Sequence, residues 1–127
     1  MRLIAHDAPE APAAQGGYAQ AMEVVAPARL LFVSGQVPLF ADGSRPDDFA
    51  GQCRQAWANL EAQLRAAGMG LDNLVKVTTF LARREDAAEN RAIRNEILGG
   101  RRVALTVILP AIFDEAWLNE IEAVAAA

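Results

Sequence analysis

The chain has few of the residues from which most catalytic centres are assembled. Of its 127 residues, one is cysteine, Cys53, and one is histidine, His6. A single cysteine excludes an intramolecular disulfide, and it suits a reducing compartment without requiring one. One histidine leaves no His pair for a metal. A Ser-His-Asp or Cys-His arrangement would have to recruit His6 from an end strand; a surface histidine beside Asp7 is the simpler reading. No CxxC, HExxH or glycine-rich phosphate loop occurs, and Gly16-Gly17 and Gly99-Gly100 are turn material. No apolar run reaches 18 residues, so no membrane span is expected. The N-terminus has no basic stretch followed by an apolar core, so no signal peptide is evident, and a cytoplasmic location is expected. Lysine is nearly absent: Lys76 stands alone beside eleven arginines, and the formal net charge is −4. RNA or DNA binding by phosphate neutralisation needs a basic face. Arg91, Arg94, Arg101 and Arg102 come nearest to one, but Glu89 and Glu96 interrupt them, and a solvated helix face accounts for them more simply.

What is present points to one folded unit, residues 1–127. Such a length buries a core without disulfide or metal staples. Hydrophobic residues reach 53%, high for a small domain; this hints at apolar surface buried between subunits, although alanine supplies much of it. Residues 1–7 are expected to form a short edge strand, and 8–17, rich in Pro, Ala and Gly, a loop. Residues 22–26 and 30–36 suggest two strands joined by a tight turn at Pro27-Ala28-Arg29, a hairpin. Residues 41–46 have turn chemistry. Phe49, Cys53, Ala56, Trp57, Leu60, Leu64 and Ala67 recur at helical spacing behind a cap at Asp47 or Asp48, with Gly68 as the stop. Cys53 lies on that stripe and is core filler rather than nucleophile. Residues 74–82 form a β-branched run, 86–98 a second helix, and 102–109 and 117–125 two strands. In the last strand Leu118, Glu120, Glu122 and Val124 share one face, and Trp117, Asn119, Ile121 and Ala123 the other. The order β-β-β-α-β-α-β-β predicts an α+β domain, with two helices on one face of a mixed sheet.

Several segments resemble the RidA family, also called YjgF or L-PSP. Residues 12–21 (PAAQGGYAQA) are similar to its P-A-A-I-G-P-Y-S-Q-A, residues 32–38 (FVSGQVP) to F-V-S-G-Q-I-P, and residues 120–123 (EIEA) to its closing E-I-E-A. Residues 52–81 are similar to its long helix and following strand. The resemblance spans nearly the whole chain and implies the chorismate-mutase-like fold, a homotrimer, and clefts between subunits. It implies no metal and no organic cofactor. By the same resemblance Tyr18 is a pocket residue, Ser34 and Gly35 line the cleft, Asn90 stands near it, and Glu120 positions or activates an attacking water. Gly17 and Ala19 replace the family's Pro and Ser, leaving the wall around Tyr18 looser and less polar. A carboxylate on an apolar strand is expensive to bury unless paired. The alternative for Glu120 is therefore an ion pair with an arginine at a subunit interface, and for Glu122 a structural role is favoured.

The departure that matters stands at residues 103–106, Val-Ala-Leu-Thr, where the family has P-A-R-[ST]. The arginine that holds a 2-imino acid by its carboxylate is here Leu105. A charge-assisted hydrogen bond contributes roughly 1.5–3 kcal/mol, and a carboxylate pressed on leucine loses several kcal/mol of solvation. Together these disfavour a simple 2-imino acid, bound in the family manner, by about a thousandfold or more. Arg102 faces the other side of a regular strand, and Arg101 lies about 13 Å along it, so either replaces the missing anchor only through a bulge. Three readings follow: a hydrolase acting on a C=N bond of another small metabolite, with Glu120 as base; a non-catalytic metabolite-binding or regulatory protein; and, with least support, a ribonuclease.

Overall fold

The apolar stripe of residues 49–67 folds as α1 (Phe49–Ala66). Asp48 caps it, its carboxylate accepting from the Gly51 amide at 2.9 Å, which satisfies one of the orphan donors of the first turn. At the other end Gly68, at φ 70°, supplies the left-handed residue of a Schellman closure. The Met69 and Gly68 amides return to the Leu64 and Arg65 carbonyls at 2.8 and 2.9 Å. Phe49, Cys53, Ala56, Trp57, Leu60 and Leu64 are all buried.

The computed structural model describes residues 1–127. The other elements are β1 (Arg2–His6), β2 (Ala21–Val25), β3 (Leu30–Gln36), β4 (Leu74–Leu81), α2 (Ala87–Leu98), β5 (Ala104–Ile108) and β6 (Asn119–Ala126). Four strands form a mixed sheet in the order β3-β6-β4-β5, with only β4 and β5 parallel. The crossovers β3-α1-β4 and β4-α2-β5 step in the same direction across this sheet, so crossovers of one hand place both helices on one face. There α1 packs on β3 and β6 and against α2. The expected α+β architecture is therefore the one observed.

Beneath the helices lie Val33, Leu74, Val77, Leu81, Ile121, Ala123 and Ala125. The period-2 alternation of β6 holds as expected. Asn119, Ile121 and Ala123 are buried, while Glu120, Glu122 and Val124 turn to the face that no helix covers. That open face also carries Phe32, paired with Val124, and Phe80, paired with Glu120. Phe32 is 74% exposed.

One expectation is overturned. β2 and β3 do not form a hairpin: β2 pairs with β1 in a separate two-stranded antiparallel ribbon, and β3 pairs with β6. Ala26 adopts φ 51°, and Pro27 has no amide to donate. The Ala28 and Arg29 amides, which a tight turn would direct back on β2, both donate to the Ala127 carbonyl at 2.8 and 2.9 Å. The ribbon is tied to the main sheet elsewhere, by a parallel bridge between Ala19 and Ala104.

Candidate functional site

The structure sorts the residues singled out in the sequence onto two faces of the sheet. On the helix side, β5 pairs with β4 so that Leu105 stands opposite buried Val77, which turns Leu105 toward α2. Tyr18 is brought there by the segment before β2. The Ala19 amide donates to the Val103 carbonyl at 2.9 Å, and the Arg102 guanidinium donates to the Tyr18 carbonyl at 3.2 Å. Asp7 completes the strap: it pairs with Arg102 and accepts the Gln20 amide at 2.9 Å. These contacts hold the Asp7 carboxyl below the usual carboxylate range, the Arg102 hydrogen bond being the largest cause. Tyr18 and Leu105 then share a cavity of about 260 Å³ with Gln15, Val107, Arg91 and Arg94.

On the open face, the β3 ladder slips between Val33 and Gln36, and this irregularity presents Gly35 to Glu120. A Cβ at Gly35 would lie 2.0 Å from Oε1 and 2.8 Å from Cδ of Glu120. Only glycine leaves room for the carboxylate where it stands. Glu120 makes no hydrogen bond or ion pair within the chain and borders a cavity of about 320 Å³. Its neighbours there are Gly35, Glu122, Phe80 and the loop residues 110–113. Phe113 on that loop is 96% exposed. Glu122, opposite Thr78, is exposed.

Ser34 lies apart from both, on a groove between β3 and the end of α1 with Gln63 and Ala66. Asn90 is 2% exposed and lines neither cavity. It sits between the helices, its Oδ1 3.8 Å from the Cys53 Sγ. Burial pushes the Cys53 thiol up to about 12, so at neutral pH it is not the thiolate that nucleophilic chemistry requires. His6 binds Glu23 at 2.7 Å on the exposed ribbon.

Neither Arg101 nor Arg102 replaces the missing anchor: Arg101 binds Asp72 at 2.5 Å and Arg102 is held by Asp7. The residues that sequence reasoning misplaced are Arg91 and Arg94. They are not both on a solvated face, because Arg94 is 4% exposed. Their i, i+3 spacing puts them on one side of the helix, and that was the available signal. What buries Arg94 is the loop before Tyr18, whose Gly16 carbonyl accepts from its Nη2 at 2.9 Å, 78 positions away in the chain.

The family model for endoribonuclease L-PSP matches residues 8–127. A RutC family protein of Pyrococcus horikoshii is 32% identical over 117 residues, covering 91% of this chain and 90% of that protein. The 2-iminobutanoate/2-iminopropanoate deaminase of Mus musculus is 34% identical over 118 residues, covering 91% and 85%. Among solved structures, the Rid family protein YyfB of Yersinia pestis, of unknown function, superposes with a TM-score of 0.83 at 25% identity, over all of both chains.

Proposed function

We propose that this chain, which belongs to the L-PSP family of RidA and YjgF proteins, is a homotrimer whose inter-subunit clefts bind a small metabolite and hydrolyse a C=N bond in it. The observation that carries this reading is Glu120. Its carboxylate lies over Gly35 without a partner, beside a cavity whose wall also includes Phe80, Ile112, Phe113 and the second carboxylate of Glu122. A free carboxylate in such surroundings suits the activation of one water molecule. Water adds to the imine carbon as one of its protons passes to Glu120 and then to the nitrogen. The adduct's hydroxyl proton then passes through Glu120 to the nitrogen as the C–N bond breaks, releasing ammonia and leaving a carbonyl. Tyr18 and Leu105 border the second cavity, and the sheet separates them from Glu120 within one protomer. A cleft between subunits joins one half from each neighbour, and the exposed apolar side chains of the open face supply a surface for that assembly.

Leu105 removes the family's anchor from β5, so a simple 2-imino acid is not held there in the family manner, for the energetic reason given above. The test is ammonia release from a freshly generated 2-imino acid by the wild type, Leu105→Arg and Glu120→Gln. A silent wild type with an active Leu105→Arg shows that the water-activating half is intact. Glu120→Gln placed in the Leu105→Arg background then abolishes release while leaving the oligomer unchanged in sedimentation. Full activity in that double variant sinks the role of Glu120. Release by the wild type overturns the reading of Leu105.

The loss of the family's arginine at position 105 equally favours a second reading, a non-catalytic metabolite-binding or regulatory protein. Silence in both the wild type and Leu105→Arg, with thermal stabilisation by a ligand, supports it. A ribonuclease has least support, since the chain has a formal net charge of −4 and Arg45, Arg54, Arg83, Arg101 and Arg102 are engaged by carboxylates.

A further inference from the structure

We propose that Arg91 and Arg94 form an oxyanion subsite in the cavity of Tyr18 and Leu105, so that the ligand carries a carboxylate or phosphate held from α2 rather than from β5. Arg94 is the only buried basic residue in the chain. Its Nη2 donates to the Gly16 carbonyl at 2.9 Å and to Asn95 Oδ1 at 3.4 Å, while its Nε and Nη1 have no acceptor. No carboxylate lies within ion-pair distance of Arg91 or Arg94. Arg54, Arg83, Arg101 and Arg102 each meet an Asp or Glu, and the other arginines without a carboxylate, Arg2, Arg29, Arg65 and Arg84, are exposed to solvent, whereas Arg94 is buried without one.

The two guanidinium side chains also converge. A Cβ at Gly16 would lie 3.2 Å from Arg91 Cδ, 3.3 Å from Arg91 Nε and 3.4 Å from Arg94 Nη2. Two like charges brought together, one of them desolvated, oppose folding unless something neutralises them. Burial first, and the Arg91 charge second, push the Arg94 pKa down, the signature of a cation without its counter-ion. Both side chains line a cavity of about 260 Å³, open to a small metabolite, whose remaining wall includes Leu105 and Val107. The guanidinium fork matches the oxygens of a carboxylate or phosphate, and the apolar wall takes the uncharged part of the ligand. For the reaction, this subsite rests on the function proposed above; for binding, it does not.

The experiment is calorimetric titration of the wild-type protein with glutarate and, separately, with inorganic phosphate, at ionic strength matched with sodium chloride so that general screening cancels. Saturable binding of either anion is expected, the stronger of the two identifying the group. Arg91→Gln alters an exposed side chain and should weaken binding at least tenfold, as should Arg94→Gln. Because Arg94→Gln also removes a bond to the Gly16 loop, Arg91→Glu serves as a second probe. It places a carboxylate beside Arg94, so binding should vanish while the melting temperature rises. Unchanged affinity in Arg91→Gln and Arg91→Glu overturns the proposal. Absence of binding in the wild type overturns it as well, and a lower oligomer mass of Arg94→Gln in sedimentation would then assign a carboxylate of a second copy as the counter-ion. Anion binding without ammonia release from any substrate leaves the subsite standing and removes the hydrolase. Ammonia release indifferent to both arginines does the reverse.

Discussion

Gly35 governs where Glu120 can be. Any side chain at 35 meets the Glu120 carboxylate, the nearest approach for a Cβ being 2.0 Å. The obstacle is the far end of a flexible side chain, so Gly35→Ala moves the carboxylate instead of the backbone. We expect this variant to fold with a melting temperature within a few degrees of wild type, yet to lose roughly a hundredfold in the proposed C=N hydrolysis, the order of loss associated with a displacement of about 1 Å at a reacting group. Wild-type turnover in Gly35→Ala would separate Glu120 from the chemistry. Both residues were legible in the sequence, from short matching segments and from the alternation along β6. Their contact was not, because it depends on the ladder irregularity between Val33 and Gln36. Arg94 was illegible for a related reason: its burial is imposed by a loop far away in sequence, and no local pattern shows which face of α2 that loop covers.

The helices were the most legible elements, since α1 carries its own apolar stripe, cap and stop. The packing of α1 on α2 has a consequence in alkali. Cys53, facing Asn90, is kept protonated up to about 12, whereas in the unfolded chain it titrates near its ordinary value. Below about pH 8.5 the thiol is neutral in both states and stability is unaffected. Between there and about 12 the unfolded state ionises and the folded state does not, so stability falls by about 1.4 kcal/mol per pH unit. Cys53→Ala lowers stability at neutral pH through the cavity it leaves, but removes this part of the alkaline slope. Urea midpoints at pH 7.5 and 10 for the two proteins check it; equal slopes would refute the burial argument. Strand partners were less legible than strands. The segments of β2 and β3 were read correctly as strands but wrongly paired, because adjacency favours a hairpin while the Ala28 and Arg29 amides bond to Ala127 at the far end of the chain.

At the scale of the whole molecule, the mixed sheet is a partition. Tyr18 and Leu105 lie on its helix side and Gly35 and Glu120 on the other. The open side keeps Phe32 and Phe113 at 74% and 96% exposure, apolar area of the kind that subunit contacts bury. In the proposed cyclic trimer each cleft takes one half from either neighbour, so the defects of two different variants would not coincide. Glu120→Gln abolishes one half, and Leu105→Trp fills the cavity of the other. Unfolded together in equal amounts and reassembled, two inactive proteins should recover about a quarter of wild-type activity, the share of clefts in which two intact halves meet by chance. A mixture that stays silent would place the whole site within one subunit. In genetic terms, the proposed assembly predicts that two null alleles of this kind, expressed in one cell, complement each other.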